Sequence, residues 1–81
     1  MMKREISIRD IEEALDDINS ADIDLEPNPE TGNDRVMTVG MTRMFRLLEI
    51  GIEIEYVTDE YCIFHVMDAG PKAIKDSGYE K

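Results

Sequence analysis

The sequence predicts an α+β domain over residues 1–81: an N-terminal helix packed on a three- to four-stranded antiparallel sheet, with a short C-terminal helix. Two patterns carry this reading. Leu48, Ile50, Ile52, Ile54 and Tyr56 alternate with Glu49, Gly51, Glu53 and Glu55, and a period of two marks a strand buried on one face. Upstream, Ile8, Ile11, Ala14 (or Leu15) and Ile18 recur at helical spacing, which lays an apolar stripe along one side of a helix. Strands that follow a helix in a run, rather than alternating with helices, give α+β.

The elements follow in order. Ser7-Ile8-Arg9-Asp10 has the form of a capping box, with Asp where Glu or Gln is usual. It opens a helix over 8–18, whose other face holds Asp10, Glu12, Glu13, Asp16 and Asp17. Asn19-Ser20 ends it. Asp22–Glu26 alternates and reads as a short strand with an acidic outer face. Residues 27–34 hold two prolines, a glycine and turn-forming Asn and Asp, so they form a loop. Arg35–Thr42 is the next strand, with Met37, Val39 and Met41 on one side and Gly40 marking a bulge or a close backbone approach. The alternating strand 48–56 and a β-rich run, 61–67, form a hairpin around Thr58-Asp59-Glu60. Gly51 is a candidate bulge. Gly70-Pro71 breaks the sheet and starts a helix over 72–77, which Gly78 ends. The expected core is Ile8, Ile11, Leu15, Ile18, Leu48, Ile50, Ile52, Ile54, Phe64 and Val66.

Charge narrows the function. The net charge is −10. Residues 1–34 hold eleven acids against three bases, and the remainder eight against six. Such a field repels nucleic-acid phosphates and attracts basic surfaces. It marks Asp10, Glu13, Asp16, Asp17, Asp22, Asp24 and Glu26 as a partner-binding face. Cys62 is the sole cysteine, which excludes an internal disulfide and suits a reducing compartment. No apolar h-region follows Met1-Met2-Lys3-Arg4, and no apolar run nears the roughly 20 residues that span a bilayer. The expectation is a cytoplasmic protein.

Metal and cofactor chemistry find little purchase. Asp22, Asp24 and Glu26 are spaced like the opening of a calcium loop, but its glycine position is Pro27 and its closing glutamate position is Asn33. Cys62 and His65 have a metal-like spacing without the further ligands that close a zinc site. Neither a metal nor a cofactor is expected. Arg35, Arg43 and Arg46, with His65, are the groups suited to a phosphate, and Glu49, Glu53 and Glu55 are their natural counter-charges.

The stretch Val39-Gly40-x-Thr42…Arg46-Leu47-Leu48-Glu49-Ile50-Gly51-Ile52-Glu53, followed by Ile63-Phe64-His65-Val66-Met67-x-Ala69, resembles the strand core of BrnT-type toxins in the RelE superfamily. Ile6-Ser7-Ile8…Ile11-Glu12-Glu13-Ala14-Leu15 resembles the helix before that core. The resemblance covers about residues 6–72. It implies a helix-plus-antiparallel-sheet fold and a toxin–antitoxin or phage-defence context. It also implies ribonuclease chemistry at Arg43, Arg46 and His65, and an antitoxin as partner. Such toxins carry cations on and after the last strand, where this chain has Asp68-Ala69-Gly70-Pro71. Weak or absent cleavage is therefore expected. Two other functions compete: an acidic protein that docks on a basic partner or mimics nucleic acid, and a structural or regulatory homodimer paired through a sheet edge.

Overall fold

The computed structural model describes residues 5–79; the leader reading on Met1–Arg4 lies outside them. The chain forms helix α1 (Ile8–Leu15), strands β1 (Ala21–Leu25), β2 (Asp34–Met41), β3 (Leu47–Glu55) and β4 (Glu60–Asp68), and helix α2 (Pro71–Ser77). The strands pair antiparallel in the order β1-β2-β3-β4. This is the α+β arrangement expected from the sequence, with four strands.

Local chemistry sets the ends of α1. The Ser7 Oγ accepts from the Asp10 N–H at 3.1 Å, and the Asp10 carboxylate accepts from the Ser7 N–H at 3.0 Å. This capping box satisfies two backbone donors that the helix start leaves open, a cap worth about 1 kcal/mol. The helix stops three residues short of the predicted Ile18. There the Asp17 carboxylate accepts from the Asn19 N–H at 2.9 Å, a local turn that competes with further helix.

Strand register sorts the sheet into two faces. Gly40 pairs with Leu48, Thr38 with Ile50, Val36 with Ile52 and Asp34 with Ile54, and paired residues share a face. Helix α1 lies on this face, over β2 and β3. The approach is close because position 40 has no side chain: a Cβ there would stand 2.1 Å from the Ala14 carbonyl oxygen. The glycine marks a close backbone approach, the second of the two readings offered for it. The opposite face carries Met37, Val39, Glu49, Gly51 and Glu53. Helix α2 lies on that side, where Pro71, Lys72 and Ala73 border a cavity shared with Ile23, Leu25 and Met37.

The core is smaller than expected. Ala14, Leu48 and Ile50 are fully buried together, with Ile6, Ile11, Ile52 and Val66 packed against them. Val39 is buried on the α2 side of the sheet. Ile8, Leu15, Ile18 and Phe64, expected inside, are exposed. The reason is geometric. The contact at Gly40 selects Ala14 as the residue facing the sheet, so the large side chains of the stripe fall on its flank. Phe64 leaves the core for another cause. Gly51 pairs with His65 while Ile52 pairs with Ile63, so Phe64 is the extra residue of a bulge in β4. Its ring lies against Gly51, where a Cβ would approach to 2.8 Å. The Arg35 guanidinium stands 5.1 Å from the ring centroid, a cation–π contact.

Candidate functional site

The three residues expected at a catalytic centre do not share one site. Arg46 follows the β2–β3 turn and forms a two-bond pair with Asp68, Nε to Oδ1 at 2.6 Å and Nη2 to Oδ2 at 3.2 Å. It also donates to the Glu5 carbonyl at 3.3 Å. The Asp68 hydrogen bond outweighs desolvation and holds the Arg46 pKa above its usual value, with the Asp10 charge adding to it. His65 pairs with Gly51 and so projects from the α2 face. There its Nε2 lies 2.9 Å from Glu49 Oε2. Arg43 is exposed on the turn, where its backbone N–H donates to the Glu13 carboxylate at 3.0 Å. Arg46 and His65 are thus on opposite sides of the sheet.

The glutamates of β3 organise the α2 face. Glu49 holds His65 with one oxygen, and its other accepts from the Gly70 N–H at 3.0 Å, at the start of α2. Glu53 gathers the β1–β2 loop. It accepts from Asn28 Nδ2 at 3.1 Å, Asn33 Nδ2 at 2.9 Å, Thr31 Oγ1 at 3.3 Å and Arg35 Nε at 3.3 Å. Asn33 Nδ2 reaches Glu55 as well, at 2.9 Å. Hydrogen bonds from Asn33 and Asn28 lower the Glu53 pKa, against desolvation and with help from Arg35. A carboxylate with several donors favours its ionised form.

The expected acidic docking face divides in two. Asp10, Glu13 and Asp17 are turned inward to structural work. Asp10 is buried in the capping box, and Glu13 holds the turn. Asp17 Oδ2 accepts from the Met41 N–H at 2.9 Å and from the Tyr79 hydroxyl at 2.5 Å. Burial opposes ionisation of Asp17, but the hydrogen bonds from Tyr79, Asn19 and Met41 prevail and lower its pKa. Tyr79 is pushed up to about 12, by its hydrogen bond to Asp17 and then by burial. Asp22 is exposed but accepts from Thr38 Oγ1 at 2.8 Å. Asp16, Asp24 and Glu26 remain exposed to solvent.

Comparison with known proteins adds nothing to this geometry. No protein-family model, curated protein or solved structure matches the chain.

Three features escape a reading of the sequence. Thr42 is buried and organises the β2–β3 turn: its hydroxyl accepts from the Met44 and Arg46 N–H groups at 3.3 and 3.1 Å. The turn holds Phe45 at φ 65°, a left-handed conformation that costs a residue with a Cβ about 1–2 kcal/mol. Met44 and Phe45 are both exposed there. The signal available was the length of the turn, since three-residue hairpin loops place one residue in this conformation.

The third feature is an open apolar groove. With Ala14 facing the sheet, Glu13 lies about 100° to one side of it and Leu15 about 100° to the other. Glu13 and Asp17 reach Arg43 and Met41, at the turn end of the sheet. Ile8, Ile11 and Leu15 therefore lie on the flank that looks down the strands. Below that flank run the rows Val36–Ile52–Ile63 and Ile54–Tyr61. Ile63 and Tyr61 are 43% and 75% exposed. Ile11 of the helix flank and Ile52 of the sheet both pack against the buried cluster between the two walls.

Proposed function

We propose that the chain is a protein-binding module of the toxin-like class its sequence resembles, acting in the cytoplasm within a toxin–antitoxin or phage-defence pair, and that it does not cleave RNA. The observation that carries this reading is the open apolar half of the α1 face. A contiguous exposed apolar surface rimmed by polar groups is the mark of an interaction site. Two facts weigh against phosphate chemistry. Arg46, Arg35 and His65 each face a carboxylate within 3.3 Å, and Arg46 and His65 lie on different sides of the sheet. An RNA site needs convergent donors around one reacting phosphate. Among the described residues no helix is long and apolar enough to cross a membrane, and the reading requires none.

The homodimer reading has one observation in its favour. β4 pairs with β3 on one side only, and its nine residues contain neither Pro nor Lys, two of the usual guards of a sheet edge, although the bulge at Phe64 supplies a third.

The test is induction in a bacterial host, with growth and total RNA followed over time. Normal growth with intact RNA is expected. Rapid arrest with cleaved RNA, lost on Arg46→Ala or His65→Ala in a folded variant, restores the ribonuclease reading. Light scattering on the purified chain tests the dimer.

A further inference from the structure

We infer that the groove between α1 and the open half of the sheet is the seat of one helix from a partner protein, an amphipathic helix with an apolar stripe flanked by Lys or Arg. This rests on the protein-binding reading above and names the chemistry of the partner.

Size points to a helix. β3 has nine residues, about 30 Å of strand. α1 sits over the turn end, tied there by contacts to residues 40–46. A helix takes up about 10 Å of width, and neighbouring helices pack 8–10 Å apart. The α1 face therefore has room for a second helix beside the first. Ile8, Ile11 and Leu15 on the flank of α1 supply one wall, and Val36, Ile52 and Ile63 the floor. Neither helix of the described chain fills the place, since α2 lies on the other face.

Charge selects the kind of helix. Glu12 and Asp16 stand on the outer ridge of α1, beyond its apolar flank, and both are exposed. At the β1 end of the groove Asp24 pairs with Val36 and Asp22 with Thr38, which places two carboxylates on the α1 face beside the apolar rows. Along the border opposite α1 Asp34 pairs with Ile54 and accepts from the Tyr56 hydroxyl at 2.8 Å. Arg35, whose backbone borders the groove, turns its guanidinium to Glu53 and Phe64 on the other face. An apolar floor between two acidic rims complements a helix with apolar anchors and cations on either side. A second copy of this chain is a poor occupant of this groove, because like acidic rims would meet.

The test uses the full chain and three synthetic peptides of about 18 residues. The first has Leu at i, i+3, i+4 and i+7 spacing with Lys on both flanks. The second is a scramble of the same composition, and the third replaces Lys with Glu. Affinities are measured at low and moderate salt, and amide and methyl NMR shifts locate the contact. The expected result is binding of the first peptide at least tenfold tighter than either control. The shifts should centre on Ile8, Leu15, Ile52 and Ile63. Ile63→Glu, at an exposed position, should cut affinity at least tenfold while leaving the melting temperature near that of the parent. Asp16→Lys with Asp24→Lys should weaken binding and flatten its salt dependence.

Equal affinity for the scramble overturns the inference, since it reduces the effect to charge. So do shifts that map to α2 or the outer edge of β4, and a solution dimer that buries Ile63. These failures leave the protein-binding reading standing if RNA stays intact on induction. RNA cleavage removes that reading whatever the peptides do.

Discussion

On the α2 face of the sheet the polar groups of β3 are engaged. Glu49 holds His65 and the start of α2, and Glu53 draws four side chains of the β1–β2 loop and β2 onto itself. On the α1 face the same strand presents Leu48, Ile50, Ile52 and Ile54, and the single helix above them closes only the first part of that row. On one face the carboxylates of β3 are satisfied by hydrogen bonds within the chain, while Phe64 and Met67 beside them stay half-exposed. The other is finished at the turn end by Ala14 against Gly40 and left open beyond Ile52. The difference teaches that a strand's alternation assigns side chains to faces, but the length and seat of the covering helix decide which of them form a core.

The largest effects should fall at the covered end. Ile50→Ala should cost about 4 kcal/mol, because Ile50 is fully buried and its removal leaves a cavity. Ile63→Ala, on the same face but 43% exposed, should cost less than about 1 kcal/mol. Urea unfolding of both variants measures the contrast. Equal losses would mean that the two halves of the face are covered alike.

Gly40→Ala probes the seat of α1 itself. The added Cβ meets backbone, not a movable side chain, so α1 has to shift. A loss of about 3 kcal/mol is expected, with amide exchange in 8–15 rising before that in β3. A loss below about 1 kcal/mol would show that the helix does not touch the strand there.

How much of this was legible follows from the same contrast. The period-two patterns and the turn residues between them carried the strands and the final hairpin, and helical spacing, the capping box and Gly70-Pro71 carried both helices, each boundary within a residue or two except the end of α1; the order of all four strands was not legible. The stripe Ile8–Ile11–Ala14 (or Leu15)–Ile18 was also legible as a stripe. Its burial was not, because nothing local announces that Ala14 meets a glycine twenty-six residues away. The candidate site fared differently. Arg46, Arg43 and His65 were visible as phosphate-binding candidates, but their separation depends on register, and the bulge at Phe64 changes which residues of β4 share a face. The acids were visible as a cluster. That Asp10, Glu13 and Asp17 turn inward is decided by caps and turn contacts that charge counting does not see.

Smaller effects sharpen the comparison at the turn. Phe45→Gly should relieve the left-handed strain, offset in part by the greater entropy of an unfolded glycine. A net gain of about 0.5 kcal/mol is expected by chemical denaturation. A loss would show that the Phe45 side chain makes contacts that hold the turn.

The link between Tyr79 and Asp17 predicts a change with pH. The Tyr79 hydroxyl is raised from 10.0 to about 12. Its contribution is therefore fully present below pH 10 and lost as pH rises through about 12. The lowered carboxyl of Asp17 works in the other direction: its contribution is present above the ordinary Asp range and lost as pH falls through the lowered value. Tyr79→Phe should reduce the alkaline loss of stability between pH 10 and 12, to which Tyr56 and Lys72, raised by their hydrogen bonds to Asp34 and Asp76, also contribute. An unchanged alkaline profile would place that loss elsewhere.

The central claim, that the α1 face is closed at one end and open at the other, is tested most directly by methyl NMR with a soluble paramagnetic gadolinium chelate. Isoleucine δ1 methyl groups report from both halves. Strong relaxation is expected at Ile8, Ile18 and Ile63, and protection at Ile50. Protection of Ile8 and Ile63 equal to that of Ile50, at a concentration where the chain is monomeric, would contradict it.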